Sequence, residues 1–376
     1  MSSISVNTIT DASGGATTSI NGFTPSVSNM AGRNRIINGD MRIDQRNAGA
    51  SVTPTHGSYT LDRWRALMSQ NGKYSVQQNA GSVTPPAGFA NYLGVTVLAA
   101  TTVGAGDYFW LDQTIEGFNA ADFNWGTADA APVTLSFWVR SSLTGSFGGS
   151  VQSNGGFYPF SYSLPVANTW TFVTVSVPGT TAYSPPSTTN GSGPAVLFGL
   201  GVGSTYSGPA DVWAGSTYLA PTGSVNVVGT SGATFYITGV QLEEGSVATP
   251  FCPAGGGSYG AELALCQRYY QKISLNANPE FWGTGYWNTT TGVQIYTPFI
   301  TPMRAAPTAL ETSGVPSQYS VRYAGGRDSL SAGPTFGAAT TFGINIGATS
   351  SAARTAGNGT IGTVEAATFL AWSAEL

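Results

Sequence analysis

The chain has 376 residues, 41% of them hydrophobic and only 9% charged, with a net charge of −4 and a sequence pI near 4.9. That apolar content supports real cores and excludes wholesale disorder, while the acidic balance leaves no basic field to gather nucleic-acid phosphates. Fifty glycines and 21 prolines without a triplet period exclude collagen, and two lysines with few glutamates exclude long polar helices. What remains is a composition of Thr, Ser, Val and aromatic residues broken by glycine, the pattern of many short strands joined by tight turns. The length suggests two or three domains, at about 150 residues each.

The opening "MSSISVNTIT" lacks a basic segment followed by an apolar run, so it does not read as a secretory signal. No stretch reaches the ~18 uninterrupted apolar residues of a membrane span, so membrane insertion is not expected. Residues 1–32 are too short and polar to bury a core alone. Ile4 and Val6 alternate with serines, and Gly14-Gly15 and Asn21-Gly22 divide the segment into extended pieces. Such an arm is stable only when it lies on its own body, a symmetry mate or a docking partner.

Residues 33–65 break the chain's avoidance of charge. Arg33, Arg35, Arg42, Arg46, Arg63 and Arg65 are half of its twelve arginines, and Asp40, Asp44 and Asp62 lie among them. Asn38-Gly39 between "RII" and "DMRI" is a two-residue hairpin signal. The interleaved aspartates favour ion pairing, internal or between subunits, over phosphate binding, because arginine pairs with carboxylates in a bidentate fork. Asp62, Arg63 and Trp64, following Tyr59, read as a packed corner. Residues Arg35, Asp40, Arg42, Asp44, Arg46, Asp62 and Arg63 are thus the candidate assembly set.

Strand-like runs follow at 92–100, 108–115, 133–142, 170–177, 195–203 and 233–245. In the last, Phe235 and Ile237 change phase to Val240 and Leu242 around Gly239, which predicts a bulge there. Strands at this spacing argue for an antiparallel sandwich of jelly-roll type over residues 33–256, with Trp138 and Trp170 as core aromatics. The triple glycine at 255–257 ends that unit. "AELALCQRYYQK" then predicts one short helix, with Glu262 early and Arg268 and Lys272 late. Further runs at 293–300, 317–325, 340–348 and 368–376 complete a smaller β domain over 257–376. The fold class is all-β.

Chemistry is sparse. His56 is the sole histidine and sits in the loop-like "TPTHGSYT" with no nucleophile motif. "GLGVGS" (199–204) is not followed by a helix, as a phosphate cradle would require. The spacings of zinc and EF-hand sites are absent, no cofactor is implied, and a loop calcium ion stays open. Glu243 and Glu244 are adjacent on one strand and point to opposite faces, so they do not form a hydrolytic pair. Asp107, Asp112 and Glu116 read as loop and turn acids, and an enzyme is not expected. Cys252 and Cys266 are expected as partly buried thiols rather than a disulfide framework. Sugar binding needs only aromatic faces with amide or hydroxyl partners. "NPEFWGTGYWNTTTG" (278–292) concentrates Trp282, Tyr286, Trp287 and Asn288, the candidate glycan residues, although a hairpin with inward aromatics fits the same tract.

The ordered set "NRIINGDMRIDQRNAG…YTLDRW" (34–64), "VQLEEGSVATPF" (240–251), "ELALCQRYYQK" (262–272), "FITPMRAAPT" (299–308) and "FLAWSAEL" (369–376) resembles the landmarks of tailed-bacteriophage tail fibre and minor structural proteins. The opening "ISVNTITDASGG" is similar to N-termini found in that family. The resemblance implies a virion protein, assembled in the host bacterial cytoplasm. Its N-terminal arm would attach to other virion proteins, a carbohydrate-binding-module-like jelly roll would follow, and the C-terminal β domain would face a host-surface glycan. It also implies a homotrimer. A head-decoration protein without receptor role and a glycan-degrading fibre enzyme are the alternatives.

Overall fold

The computed structural model describes residues 32–275 and 280–376, so the arm expected at 1–32 lies, Gly32 apart, outside the described residues. The chain divides into two compact units. One comprises residues to Arg42 with Gly49–Glu262, and the other comprises Ile43–Ala48 with Leu263–Leu376. Among the described residues no helix is long and apolar enough to cross a membrane.

The first unit is an antiparallel β-sandwich of jelly-roll type. Its strands are β1 (Ser58–Tyr59), β2 (Arg65–Met68), β3 (Tyr74–Gln78), β4 (Leu93–Val97), β5 (Tyr108–Glu116), β6 (Val133–Ser141), β7 (Gly145–Gln152), β8 (Phe157–Leu164), β9 (Thr171–Val177), β10 (Ser192–Val202), β11 (Ser207–Gly208), β12 (Ala220–Pro221) and β13 (Thr234–Glu244). One sheet runs β1-β2-β5-β10-β7-β8 and the other β3-β4-β13-β6-β9. The chain passes repeatedly from one sheet to the other, so the strands lend alternate residues to a shared core. Val133, Leu135, Phe137 and Val139 of β6 point inward, as do Val173, Val175 and Val177 of β9. Phe137 meets Phe198 and Tyr162 edge-on at 5.0 and 5.3 Å. Each such side chain contributes about 1.5–3 kcal/mol on burial.

The segment around Asn38-Gly39 is not the predicted hairpin. It is coil and turn, with Asn38 and Met41 at positive φ. Side-chain amides replace a ladder there. Gln113 accepts from the Ile37 amide and donates to the Ile37 carbonyl, both at 2.8 Å. Asn34 Oδ1 accepts from the amides of Ile36 and Leu242 at 2.9 and 3.2 Å. Asn38 Nδ2 donates to the Asp62 carbonyl at 3.0 Å, and Trp64 Nε1 donates to the Asn38 carbonyl at 3.1 Å. Residues 60–64 thus form the packed corner, with Asp62, Arg63 and Trp64 all buried. An Ala at position 39 would set its Cβ against the Val240 carbonyl oxygen, so this close approach requires glycine.

Helix α1 spans Tyr259–Gln267, shorter than predicted. The residues expected to continue it form β14 (Tyr270–Leu275), which pairs along its whole length with the strand at Thr368–Ser373. Long-range pairing overrides local pattern in this aromatic and β-branched run. The remaining strands are β15 (Phe281–Trp287), β16 (Gly292–Pro298), β17 (Glu311–Thr312), β18 (Tyr319–Tyr323), β19 (Gly326–Ala339), β20 (Gly343–Ser350), β21 (Gly359–Val364) and β22 (Thr368–Ser373). Six of them close a barrel in the order β15-β16-β20-β19-β18-β21, and β14-β22-β17 form a separate sheet. Closure pairs the edges that an open sheet would expose.

Candidate functional site

On the outer face of the sheet that contains β13, a groove of ≈ 370 Å³ opens over β6, β9 and β13. The alternation that sends Phe137 inward sends Ser136 and Trp138 outward. Register sets Trp138 between Thr238 of β13 and Phe172 of β9. The Trp138 and Phe172 rings lie 5.3 Å apart, and Phe172 is 48% exposed. Trp138 and Trp170 are therefore not core aromatics as expected. Both are half-buried, and Trp170 packs edge-on against Tyr92 at 5.5 Å while its Nε1 donates to the Thr84 carbonyl.

The opposite wall comes from two loops. Phe89 and Phe251 pack at 5.1 Å, joined by Ala87, Gly88, Thr249 and Pro250. The second loop is held by a buried carboxylate. Glu243 accepts from the Thr249 amide at 2.8 Å, from Thr249 Oγ1 at 2.7 Å and from Gln241 Nε2 at 2.8 Å. The Cys252 amide donates to Gln241 Oε1 at 2.9 Å. Gly239 forms the floor at the predicted bulge, where Gly239 and Val240 together face Phe137. Its φ is +61°, and a Cβ would stand 2.6 Å from Phe89 Cζ and 3.3 Å from Trp138 Cδ1. Among the described residues, no charged side chain lines the groove.

The barrel treats its aromatic tract differently. Trp282 and Trp287 are 3% and 0% exposed and belong to the barrel core. Trp282 Nε1 donates to the Thr363 carbonyl at 2.9 Å, and Trp287 meets Tyr323 edge-on at 5.8 Å. The expectation that they offer faces to a sugar is corrected: β15 turns both inward. Tyr286 and Asn288 remain exposed. Asn288 borders a smaller polar hollow of ≈ 200 Å³ with Gln294, Thr335 and Thr349, and Trp282, Tyr286 and Trp287 do not line it.

The candidate assembly residues find partners within the chain. Arg35 pairs with Asp122 at 2.6 Å, and Arg42 Nε donates to Asp40 Oδ2 at 2.6 Å. Asp44 Oδ1 accepts from the Asn47 amide at 2.9 Å. Arg46 pairs with Glu375 at 3.0 Å, over the Tyr270 ring at 3.6 Å. Arg63 donates to the Thr114 carbonyl. Arg65, outside the candidate set, makes a bidentate pair with Asp112 at 3.0 and 2.7 Å. Apart from Asp40 with Arg42, these ion pairs are long-range, so they do not fix the register of a local hairpin.

The residues weighed for chemistry are also engaged in structure. Nδ1 of His56 lies 2.9 Å from the Met68 carbonyl oxygen, and its ring stands edge-on to Tyr108. Asp107 accepts from the Gln70 side chain, from Ser69 Oγ and from the Gly104 amide. Those hydrogen bonds, Gln70 foremost, hold its carboxyl below the usual range. Asp112 is spent on Arg65 and Glu243 on the groove wall. Cys252 and Cys266 are not joined in a disulfide; the first is partly buried and the second buried. Among the described residues no group of three His, Cys, Asp or Glu side chains gathers to hold a metal.

No protein-family model matches the chain, and neither does any curated protein sequence. Solved structures resemble parts of it. The enzymatically active domain of tailspike protein 4 of bacteriophage CBA120 aligns at 14% identity and a TM-score of 0.30, over 56% of this chain and 21% of that one. A candidate sugar-binding protein of Bacteroides thetaiotaomicron aligns at 12% identity and a TM-score of 0.34, over 56% and 100%. A family 11 carbohydrate-binding module of Clostridium thermocellum, solved with a β-1,3-1,4-mixed-linked tetrasaccharide, aligns at 12% identity and a TM-score of 0.27, over 53% and 98%. Likenesses at these scores assign no function to this chain.

Proposed function

We propose that the chain is a non-enzymatic structural protein of a tailed-phage virion, a tail fibre that attaches through its N-terminal region and recognises a host-surface glycan. Its ordered landmarks support the virion reading, and with it a homotrimeric assembly. The observation that carries glycan recognition is Trp138, turned outward beside the exposed Phe172 in an uncharged groove. Flat apolar rings stack on the C–H faces of a pyranose, and the Ser136 hydroxyl at the groove supplies a donor and an acceptor. Recognition therefore lies on the sandwich rather than on the barrel tryptophans. A non-catalytic role is supported by the engagement of Asp112 and Glu243 in structural contacts.

A single sugar contact of this kind is weak, on the order of millimolar. Three copies on a fibre and several fibres on a particle raise avidity by about 10²–10⁴. Immunolocalisation on intact particles tests the placement, with tail labelling expected and head labelling against it. Particles carrying Trp138→Ala should assemble and adsorb poorly; normal adsorption would count against the groove. Release of sugar from host envelope by the purified chain would count against the non-enzymatic reading.

A further inference from the structure

Closure of the barrel covers β19 along only part of its length. Residues 326–329 pair with β18, and a Cβ on Gly333 would stand 3.9 Å from Pro316 Cγ, in the turn that precedes β18. From Thr335 to Ala339 the strand pairs, among the described residues, with β20 alone. Register shifts along that pairing bend β19. Pro334, with no amide hydrogen to donate, suits a strand that has just become an edge. Thr335, Phe336, Gly337 and Ala338 are exposed in succession. Alternate residues of a strand point to opposite faces, so this run leaves both faces open as well as one edge.

The projecting end is anchored from its other side. The Thr340 amide donates to the Gly343 carbonyl at 2.9 Å, the Met303 amide to the Thr341 carbonyl at 2.8 Å and the Phe299 amide to the Phe342 carbonyl at 2.9 Å. Anchoring of this kind lowers the ordering cost of a contact. Phe336 and Phe342 are 37% and 64% exposed. Natural edges are commonly blunted by charge, yet residues 329–353 contain no Asp, Glu, Lys or Arg. The complement of such an edge is an extended strand that brings backbone donors and acceptors and no charge. The same segment of a second copy meets that description. Run antiparallel, it matches its own amides and carbonyls, and Gly337 and Ala338 leave room for close approach.

We propose that the free edge of β19 at Thr335–Ala339 pairs antiparallel with the same edge of a second copy of this chain, with Phe336 and Phe342 covered at its flanks. The contact is two-fold, so it goes beyond the three-fold assembly proposed above and joins one such unit to another.

Native mass measurement of the full chain over a concentration series, with amide hydrogen exchange read over 335–339, tests this. The number of chains in the dilute limit, three or one, reports on the homotrimeric reading alone. Raising the concentration should double that unit and slow exchange over 335–339 about 10-fold or more. High salt should not reverse the doubling, because no ion pair is involved. Ala338→Lys sets like charges against each other across the contact and should weaken the doubling about 10-fold or more. Thr284→Lys, on β15 where both edges are paired, should leave it unchanged. Both positions are exposed, so neither substitution disturbs the barrel core. A mass that has not doubled by about 0.1 mM would overturn the proposal. So would doubling that Ala338→Lys leaves intact, or exchange over 335–339 that is the same in the dilute and doubled states.

Discussion

Two aromatic stretches of this chain look alike as sequence and differ as structure. "SFWVRS" in β6 turns Trp138 outward, while "FWGTGYW" in β15 turns Trp282 and Trp287 into the barrel. In β6 the valine, leucine and phenylalanine at alternate positions claim the core and leave tryptophan the other face. In β15 glycines take the intervening positions. A Cβ at Gly283 or Gly285 would collide with β16, and one at Gly362 would meet the Trp282 ring at 2.4 Å. The barrel thus packs its tryptophans against bare backbone. An aromatic residue is a ligand platform or a core residue according to what its neighbours leave vacant, not according to its own type.

The largest effect that sharpens this contrast is expected at Trp287. Replacing a fully buried tryptophan with alanine costs about 3–5 kcal/mol. Trp287→Ala should therefore lower the unfolding midpoint of the barrel markedly in urea. Trp138→Ala, at a half-buried position, should move stability far less. A comparable loss from both would erase the distinction between the two faces.

The next effect concerns the arginine-rich segment. Asp112 has a side chain only 3% exposed, and its bidentate partner Arg65 is 24% exposed. Arg65→Ala leaves that carboxylate without its ion-pair partner, and about 2–3 kcal/mol of sandwich stability should be lost. Arg42 and Asp40 form a local pair in which Arg42 is 25% exposed. Asp40 is itself only 7% exposed, so Arg42→Ala also leaves a buried carboxylate without its ion-pair partner and should cost a similar or somewhat smaller amount, about 1–3 kcal/mol. If instead Arg42→Ala dissociates an assembled oligomer without changing the chain's own unfolding, its main partner lies on another subunit.

A smaller, pH-dependent effect falls on Glu262. It is buried and accepts from the Asn38 and Gly255 amides at 2.5 and 2.6 Å. Burial outweighs those bonds and raises its carboxyl above the ordinary 4.5. A carboxyl raised in the folded state costs stability while ionised. That cost is relieved as pH falls through the folded value toward 4.5. Relative to Glu262→Gln, the native chain should gain stability on acidification from neutral pH to that value. Parallel melting curves for the two chains across this window would contradict the assignment.

The sandwich is legible where one strand carries its own alternation. The phase change at Gly239 marks the bulge, and the inward valines of β6 imply an outward Trp138, although aromatic content alone points to the core. Reading fails where distant groups decide. Asn38-Gly39 carries the local signal of a hairpin, yet the amides beside it are met by Asn34, Gln113 and Glu262, so no ladder forms. "CQRYYQK" continues a helical pattern, yet β22 captures Tyr270–Leu275 as a strand. The groove itself is hidden from the sequence because its walls come from residues 87–89 and 249–251, which meet only after β13 is in place.

The central claim, that recognition belongs to the sandwich groove and not to the barrel tract, is tested most directly by adsorption of otherwise identical particles to host cells. One set carries Trp138→Ala, and the other carries Tyr286→Ala with Asn288→Ala, the exposed members of the barrel tract. The account predicts a large drop in adsorption for the first and adsorption near wild type for the second. Loss of adsorption in the barrel variant, with the Trp138 variant unimpaired, would contradict it.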